Sequence, residues 1–364
     1  MRILKQRSTH SGRLERWLGA ERLEQISQST KGWYWKPIPL LDCPGAVTIG
    51  GDGDFTGPFD RGWFMSAKDS LVDWIKREEG MAGFTSISDA LARASGGFGQ
   101  MRKFNKVGPT GVVAVTSSLW DLGPQPPAGT APAGAAGGTA FTNASTGALG
   151  QANPASGTLH LVGTDVSASV INNSLLLYDL IFGCAKTVAS ASAEAVTGVP
   201  TRYQSTTSTN PDYVGGNFLF IQVGGTALAA TAHNHTVVTY LDQDNAASTM
   251  PSLTGNASAI VRRLDHPVQQ WFAPLQSGDV GIKALTQMQH SASIATGVLW
   301  YMIGHPLGFM SFPIINSIFP FDWLTNRNQA TRVFDGACLA FLEPLKPATG
   351  TTTYTGSVWL TSAA

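Results

Sequence analysis

Hydrophobic residues in this chain recur in two rhythms, and the change from one to the other falls near residue 107. Over residues 11–28, Leu14, Trp17, Leu18, Leu23 and Ile26 return at roughly helical spacing. Arg13, Arg16, Glu21, Arg22 and Glu24 lie between them, which predicts an amphipathic helix. A second helix is predicted over 66–77, carrying Leu71, Val72, Trp74 and Ile75. A third is predicted over 86–93, with Ser86 or Ser88 as its cap and Gly96-Gly97 as its end. Residues 37–62, rich in Gly, Pro and Asp, read as loop with a short strand at 46–49.

From residue 111 the pattern becomes that of strands. The run GVVAVTSSLW is β-branched and apolar. Residues 123–157 interrupt it with Gly, Pro, Ala, Ser, Thr and Asn and almost no charge, a composition expected to bury no core. That segment is either an arm over a neighbouring subunit or a surface excursion. Short apolar runs then follow at 158–162, 174–182, 217–223, 236–241, 257–261, 268–272, 280–289, 297–303, 336–342 and 357–360, most of them separated by turn residues. This spacing predicts a mainly β fold, with an antiparallel sandwich or jelly-roll-like C-terminal part and a smaller helix-containing N-terminal region. The absence of βαβ alternation and of a fixed-period repeat excludes a Rossmann fold, a TIM barrel and a propeller.

Charge sharpens the boundary. Of the 24 basic and 24 acidic side chains, 28 lie in residues 1–107 and 20 in the remaining 257. The division predicted is a charged, partly helical region over 1–107, a β region with the long loop over 108–200, and a β-sandwich oligomerisation or binding domain over 201–364. Charged residues are 13% of the chain, about half the usual share, and its formal net charge is zero. No bulk field draws it to nucleic acid or to an anionic membrane. A surface poor in charge suits contact with other proteins. The first 22 residues carry a local charge of about +4, read as a solvated helix. They contain no apolar core of a leader peptide. The most apolar stretch, 298–321, is broken by Pro306, Pro313 and Pro320, so it is not expected to cross a bilayer as a helix. Cys43, Cys184 and Cys338 are far apart and odd in number, which predicts free thiols rather than a disulfide framework or zinc site.

Candidate chemistry is thin. Asp52 and Asp54, with Asp60 nearby, have the spacing of calcium ligands, but the twelfth position of an EF-hand loop starting at Asp52 is Trp63; a polar turn is the reading. His233 and His235 would share one face of a strand, as metal ligands do, but spacing identifies no third ligand, and a polar strand edge is the reading. Asp265-His266 does not make a catalytic triad without geometry, and no nucleophile elbow, P-loop or zincin helix is present. No catalytic, cofactor or metal residues are therefore assigned, no cofactor is expected, and the chain is read as non-enzymatic. The aromatic tract carries more weight: Trp300, Tyr301, Phe309, Phe312, Phe319, Phe321 and Trp323 fall in one proline-interrupted span, expected to be irregular and to serve as interface anchors, core, or both.

In composition and layout the whole chain resembles virion structural proteins of tailed bacteriophages. The resemblance rests on low charge, abundant Gly, Ala, Ser and Thr, a charged helical N-terminus, a β-sandwich beyond it, and stretches such as Tyr240-Leu241-Asp242-Gln243-Asp244. It is most similar to capsid decoration (cement) or other auxiliary head proteins. A shell protein with a long charged spine helix is less similar, since nothing after residue 107 reads as such a helix. The resemblance implies a role in binding and stabilising a capsid shell. It implies a homo-oligomer, a trimer by analogy, with the major capsid protein as partner, in a virion assembled in the host cytoplasm. A tail, neck or receptor-binding component is the alternative, and a carbohydrate-active β-sandwich enzyme the alternative from another class.

Overall fold

The computed structural model describes residues 84, 86–110, 113–322, 331–344, 346 and 349–363, with the backbone of 48–49 and 55–56. The chain divides into two compact units, Met1–Gly80 and Met81–Ala364. In the first, Thr48–Ile49 pairs antiparallel with Phe55–Thr56, so a strand does lie within the predicted 46–49. The helices predicted over 11–28 and 66–77, together with Asp52, Asp54, Asp60 and Cys43, lie outside the described residues.

The second unit opens with helix α1 (Ile87–Ser95). Ser86 caps it, its side chain accepting from the Asp89 amide at 3.1 Å, and Gly96 closes it on the Arg93 carbonyl. The main strands follow: β1 (Gly99–Val107), β2 (Leu159–Ala168), β3 (Asn173–Thr187), β4 (Phe218–Gly224), β5 (Asn234–Asp242), β6 (Ile282–His290), β7 (Val298–Phe312), β8 (Phe319–Asp322), β9 (Leu339–Glu343) and β10 (Thr353–Ser362). The fold is mainly β with antiparallel sheets. The contact boundary near residue 80 differs from the charge boundary at 107, because β1 pairs along its length with β10. Its basic residues mark a strand whose inner positions are few, chiefly Phe104 and Lys106.

Three sheets build the body. The middle sheet has the order β4-β7-β3-β9, the second sets β5 beside β6, and the third runs β8-β2-β10-β1. β3 and β7 are each 15 residues long and pair throughout, from Val298 opposite Thr187 to Phe312 opposite Asn173. In β3, Leu175 and Leu177 meet Val166, Val358 and Leu360 of the third sheet, whereas Ile181 meets Val238, Leu285 and Met288 of the second. Even-numbered Leu176, Tyr178 and Leu180 turn to the other face, against Trp120, Phe141 and Leu264. Both faces are covered, which is why β3 reads as one continuous apolar run.

Three expectations are corrected here. The tract from Trp300 onward is not irregular up to Phe312; it is the body of β7. Pro306 is accommodated because β4 pairs only with Val298–Gly304, so the second half of β7 has a partner on one side only, and a bulge lies at Pro306/Gly308. Residues 123–157 hold little regular structure, as expected, but they do bury a core: Phe141 is fully buried and Leu149 nearly so. Their small residues permit close approach to a large ring. A Cβ on Gly129 would sit 2.2 Å from Trp120 Cε2, and Gly147, at φ +98°, approaches both Gly129 and Trp120. The Trp120 indole N–H donates to the Thr130 carbonyl at 3.0 Å, so the segment clasps this side chain. Finally, the apolar runs at 257–261 and 268–272 form turns rather than strands, and among the described residues of the run at 111–120 only Ser117–Ser118 is strand.

Candidate functional site

Among the buried polar side chains, three histidines gathered around one carboxylate stand out. Asp265 is fully buried in a turn whose amide donates to the Ile221 carbonyl of β4 at 2.7 Å. Its Oδ2 accepts from His233 Nε2 at 2.7 Å and from His235 Nε2 at 3.1 Å. Its Oδ1 accepts from the Asn256 amide. The two histidines flank the start of β5, and strand alternation points both rings inward, where their side chains lie fully buried. Gly255 makes room for this: its amide donates to the His233 carbonyl at 3.0 Å, and a Cβ there would meet His233 Nε2 at 2.2 Å.

The outer nitrogens of both rings are also held. His233 Nδ1 lies 3.1 Å from the Thr231 carbonyl, which can only accept, so both ring nitrogens of His233 face acceptors. Burial presses its pKa down, but the hydrogen bond to Asp265, that carboxylate's charge and the Thr231 carbonyl together outweigh burial and raise it. The same pairing, against burial, holds Asp265 well below the usual carboxylate range. His233 and Asp265 thus form a buried, hydrogen-bonded imidazole–carboxylate pair. His235 Nδ1 lies 2.9 Å from the Tyr301 hydroxyl of β7. Burial pushes that phenol's pKa well above 10, so it keeps its proton. His290, the Cα partner of His235 across β5 and β6, donates from Nδ1 to the Ala292 carbonyl at 2.7 Å. Its buried Nε2 has no hydrogen-bond partner. Burial, the largest cause, holds the pKa of the neighbouring His266 down to about 3; its Nε2 accepts from the Ile221 amide at 2.9 Å.

The structure therefore brings His233 and His235 together as the alternation predicts, but in the interior rather than at a polar strand edge. It supplies the third partner, Asp265, that spacing alone does not reveal. The aromatic tract is dispersed. Tyr301 belongs to this cluster, and Trp300 and Phe312 are buried in the cores. Phe319 and Phe321 are half-buried against the core beside the third sheet, Phe309 is 40% exposed, and Trp323 lies outside the described residues.

A second feature occupies one end of the body, where the β2–β3 turn adjoins the β7–β8 turn. The Asn172 amide donates to the Phe312 carbonyl at 2.8 Å and the Asn316 amide to the Ala168 carbonyl at 2.9 Å, tying the two turns together. On them Ile171, Ile314, Ile315 and Ile318 are 50%, 53%, 49% and 70% exposed. Turn positions ordinarily carry Gly, Asn, Asp, Ser or Pro. Four exposed β-branched apolar residues on paired turns form a patch of the kind that marks contact surfaces. None of the four was singled out from the sequence, where they read as part of the apolar tract or as an isolated isoleucine.

No protein-family model matches the chain, and no curated protein matches it. Among solved structures, the chain is weakly similar to the VP2 subviral particle of infectious bursal disease virus. The identity is 10%, the match covers 72% of this chain and 80% of that one, and the TM-score is 0.13. Similarity at that level does not bear on function.

Proposed function

We propose that this chain is a non-enzymatic structural protein of a virus particle, and that copies of it associate through the isoleucine-bearing end formed by the β2–β3 and β7–β8 turns. The observation that carries the self-association is the exposure of Ile171, Ile314, Ile315 and Ile318 on two turns held together by backbone hydrogen bonds. Because both turns are braced, little ordering cost remains to be met on binding. Burying what these four side chains leave in water would contribute on the order of 4 kcal/mol before the cost of association. The virion assignment rests on the compositional resemblance to phage head proteins. On this reading the chain is a decoration or cement component, and a closed ring, with three copies by analogy, seats it on a shell of the major capsid protein.

Sedimentation velocity on the full chain tests the self-association. Wild type is expected to sediment as a closed oligomer, and Ile315→Asp/Ile318→Asp as a monomer with an unchanged melting midpoint. Both positions are exposed, so the folded subunit should tolerate the change. A double variant with the wild-type association constant would remove this end as the interface. Binding of the purified chain to shells that lack it tests the cement role, and shells whose disassembly temperature does not rise would end that role.

A further inference from the structure

We propose that His233, His235 and Asp265, joined by His290, form a closed structural site for one divalent transition-metal ion of the zinc type. The inference is independent of the self-association proposed above. Its first support is convergence: Nε2 of His233, Nε2 of His235 and a carboxylate oxygen of Asp265 all lie within 4.8 Å of one another. Donor atoms on a tetrahedral zinc ion sit roughly 3.3 Å apart, given bonds of about 2.0–2.1 Å. The present separations from Asp265 Oδ2, 2.7 and 3.1 Å, need to open by only a few tenths of an ångström.

The second support is the outer shell. A ligating imidazole characteristically gives its other ring nitrogen to a carbonyl or another fixed polar group. Here His233 Nδ1 faces the Thr231 carbonyl, His235 Nδ1 the Tyr301 hydroxyl and His290 Nδ1 the Ala292 carbonyl. The rings of His233 and His235 are thus oriented with Nε2 toward Asp265, and the Nε2 of His290 is left without a partner. The third support is the unpartnered Nε2 of fully buried His290. A buried lone pair without a donor calls for an explanation, and a cation supplies one. The three convergent donors are those of His233, His235 and Asp265; the His290 ring centroid is 6.4 Å from that of His233, against about 5 Å for two rings on one tetrahedral ion, so His290 joins them as fourth ligand by moving its ring inward by at least about 1 Å. Gly255 lets the backbone pass close to the His233 ring, since a Cβ there would meet Nε2 at 2.2 Å.

The chemistry of the donors sets the class of ion. Three imidazoles and one carboxylate suit zinc and its neighbours and not calcium or magnesium, which want oxygen. The side chains of His233, His235 and Asp265 are fully buried, which leaves no open position for a substrate and marks a structural site. Such an ion would pin the start of β5 to the turn at Asp265 and to the end of β6. Because a buried site forms with the fold, binding should be coupled to folding.

The test uses the full chain without a histidine tag, unfolded in denaturant with chelator and refolded with zinc, with magnesium, or with chelator alone. After dialysis, elemental analysis should find one zinc per chain and no retained magnesium, and the zinc form should melt higher than the chelator form. Cobalt refolded into the site should show the intense visible bands of a four-coordinate ion. Asp265→Asn and His290→Gln keep side-chain size; each should weaken zinc binding at least tenfold, while His305→Gln, outside the site, should bind as wild type. A folded wild type that retains no zinc and melts identically in zinc and chelator overturns the site. His290→Gln binding zinc as tightly as wild type overturns the fourth-ligand assignment. If Asp265→Asn fails to fold, the wild-type stoichiometry and the cobalt spectrum decide the matter.

Discussion

Replacing Arg202 with Met should destabilise the second unit by about 3–5 kcal/mol, although Arg202 lies in a loop between strands. Its guanidinium grips Asp179 of β3 bidentately, Nε to Oδ2 at 2.9 Å and Nη2 to Oδ1 at 2.7 Å. Its remaining donors reach the carbonyls of Phe141 at 2.8 Å and Leu180 at 3.2 Å. Asp179 is fully buried, and its Oδ1 also accepts the Cys338 amide of the strand turn before β9 at 2.7 Å. Methionine fills much of the volume but strands a carboxylate in the interior and leaves two carbonyls without their donor. The loss should appear as a fall of roughly 10 °C in melting midpoint and as a lower midpoint in urea at unchanged slope. The double variant Arg202→Met/Asp179→Asn should recover part of this, since a neutral amide still accepts from Cys338 and carries no buried charge. A single variant costing under about 1 kcal/mol, or a double variant no better than the single, would refute the stranded charge as the cause.

Two further outcomes follow from the packing. Gly129→Ala places a Cβ 2.2 Å from the Trp120 indole and should cost about 1–3 kcal/mol in a thermal melt, whereas Gly137→Ala, with nothing within 4 Å of the new atom, should cost nothing measurable. His305, stacked on Tyr203 with ring centroids 4.0 Å apart, has its pKa lowered by burial to about 4, against an ordinary value of 6.5. The unfolded chain therefore binds the extra proton first as pH falls, and stability should drop between pH 6.5 and pH 4 by about 2–3 kcal/mol from this ring. Chemical denaturation across that window should give a flatter curve for His305→Gln, and a variant curve parallel to wild type would dismiss the ring as the cause.

How far the sequence discloses this molecule depends on how local each cause is. Helix α1 was legible because Ser86 and Gly96 act within a single turn. β3 and the first half of β7 were legible because burial on both faces writes a continuous apolar run. β1 was not: most of its positions are not fully buried, and its one buried charge, Lys106, donates hydrogen bonds to the carbonyls of Leu122 and Pro126, which are remote in sequence. The runs at 257–261 and 268–272 misled because apolar residues in loops cover the second face of the middle sheet, as Leu264 and Trp271 do. In the buried cluster, the letters of His233, His235 and Asp265 were visible, but the separation of 30 positions between His235 and Asp265 is closed by topology, which no spacing rule records. The isoleucine end was hidden for the same reason, since Ile171 and Ile314 become neighbours only when β3 and β7 pair.

The long pairing of β3 with β7, continued past two bulges, bears on how the body carries mechanical load. A pull applied at the end where β3 begins and β7 finishes, and resisted at the far end, is directed along both strands. The hydrogen bonds between antiparallel strands lie across that direction. They are therefore strained together in shear over the whole register from Phe312–Asn173 to Val298–Thr187, rather than opened one rung at a time as in a zipper. Because β3 packs on the third sheet through Leu175 and Leu177 and on the second through Ile181, tension entering at one turn is shared by both of those sheets through this pair.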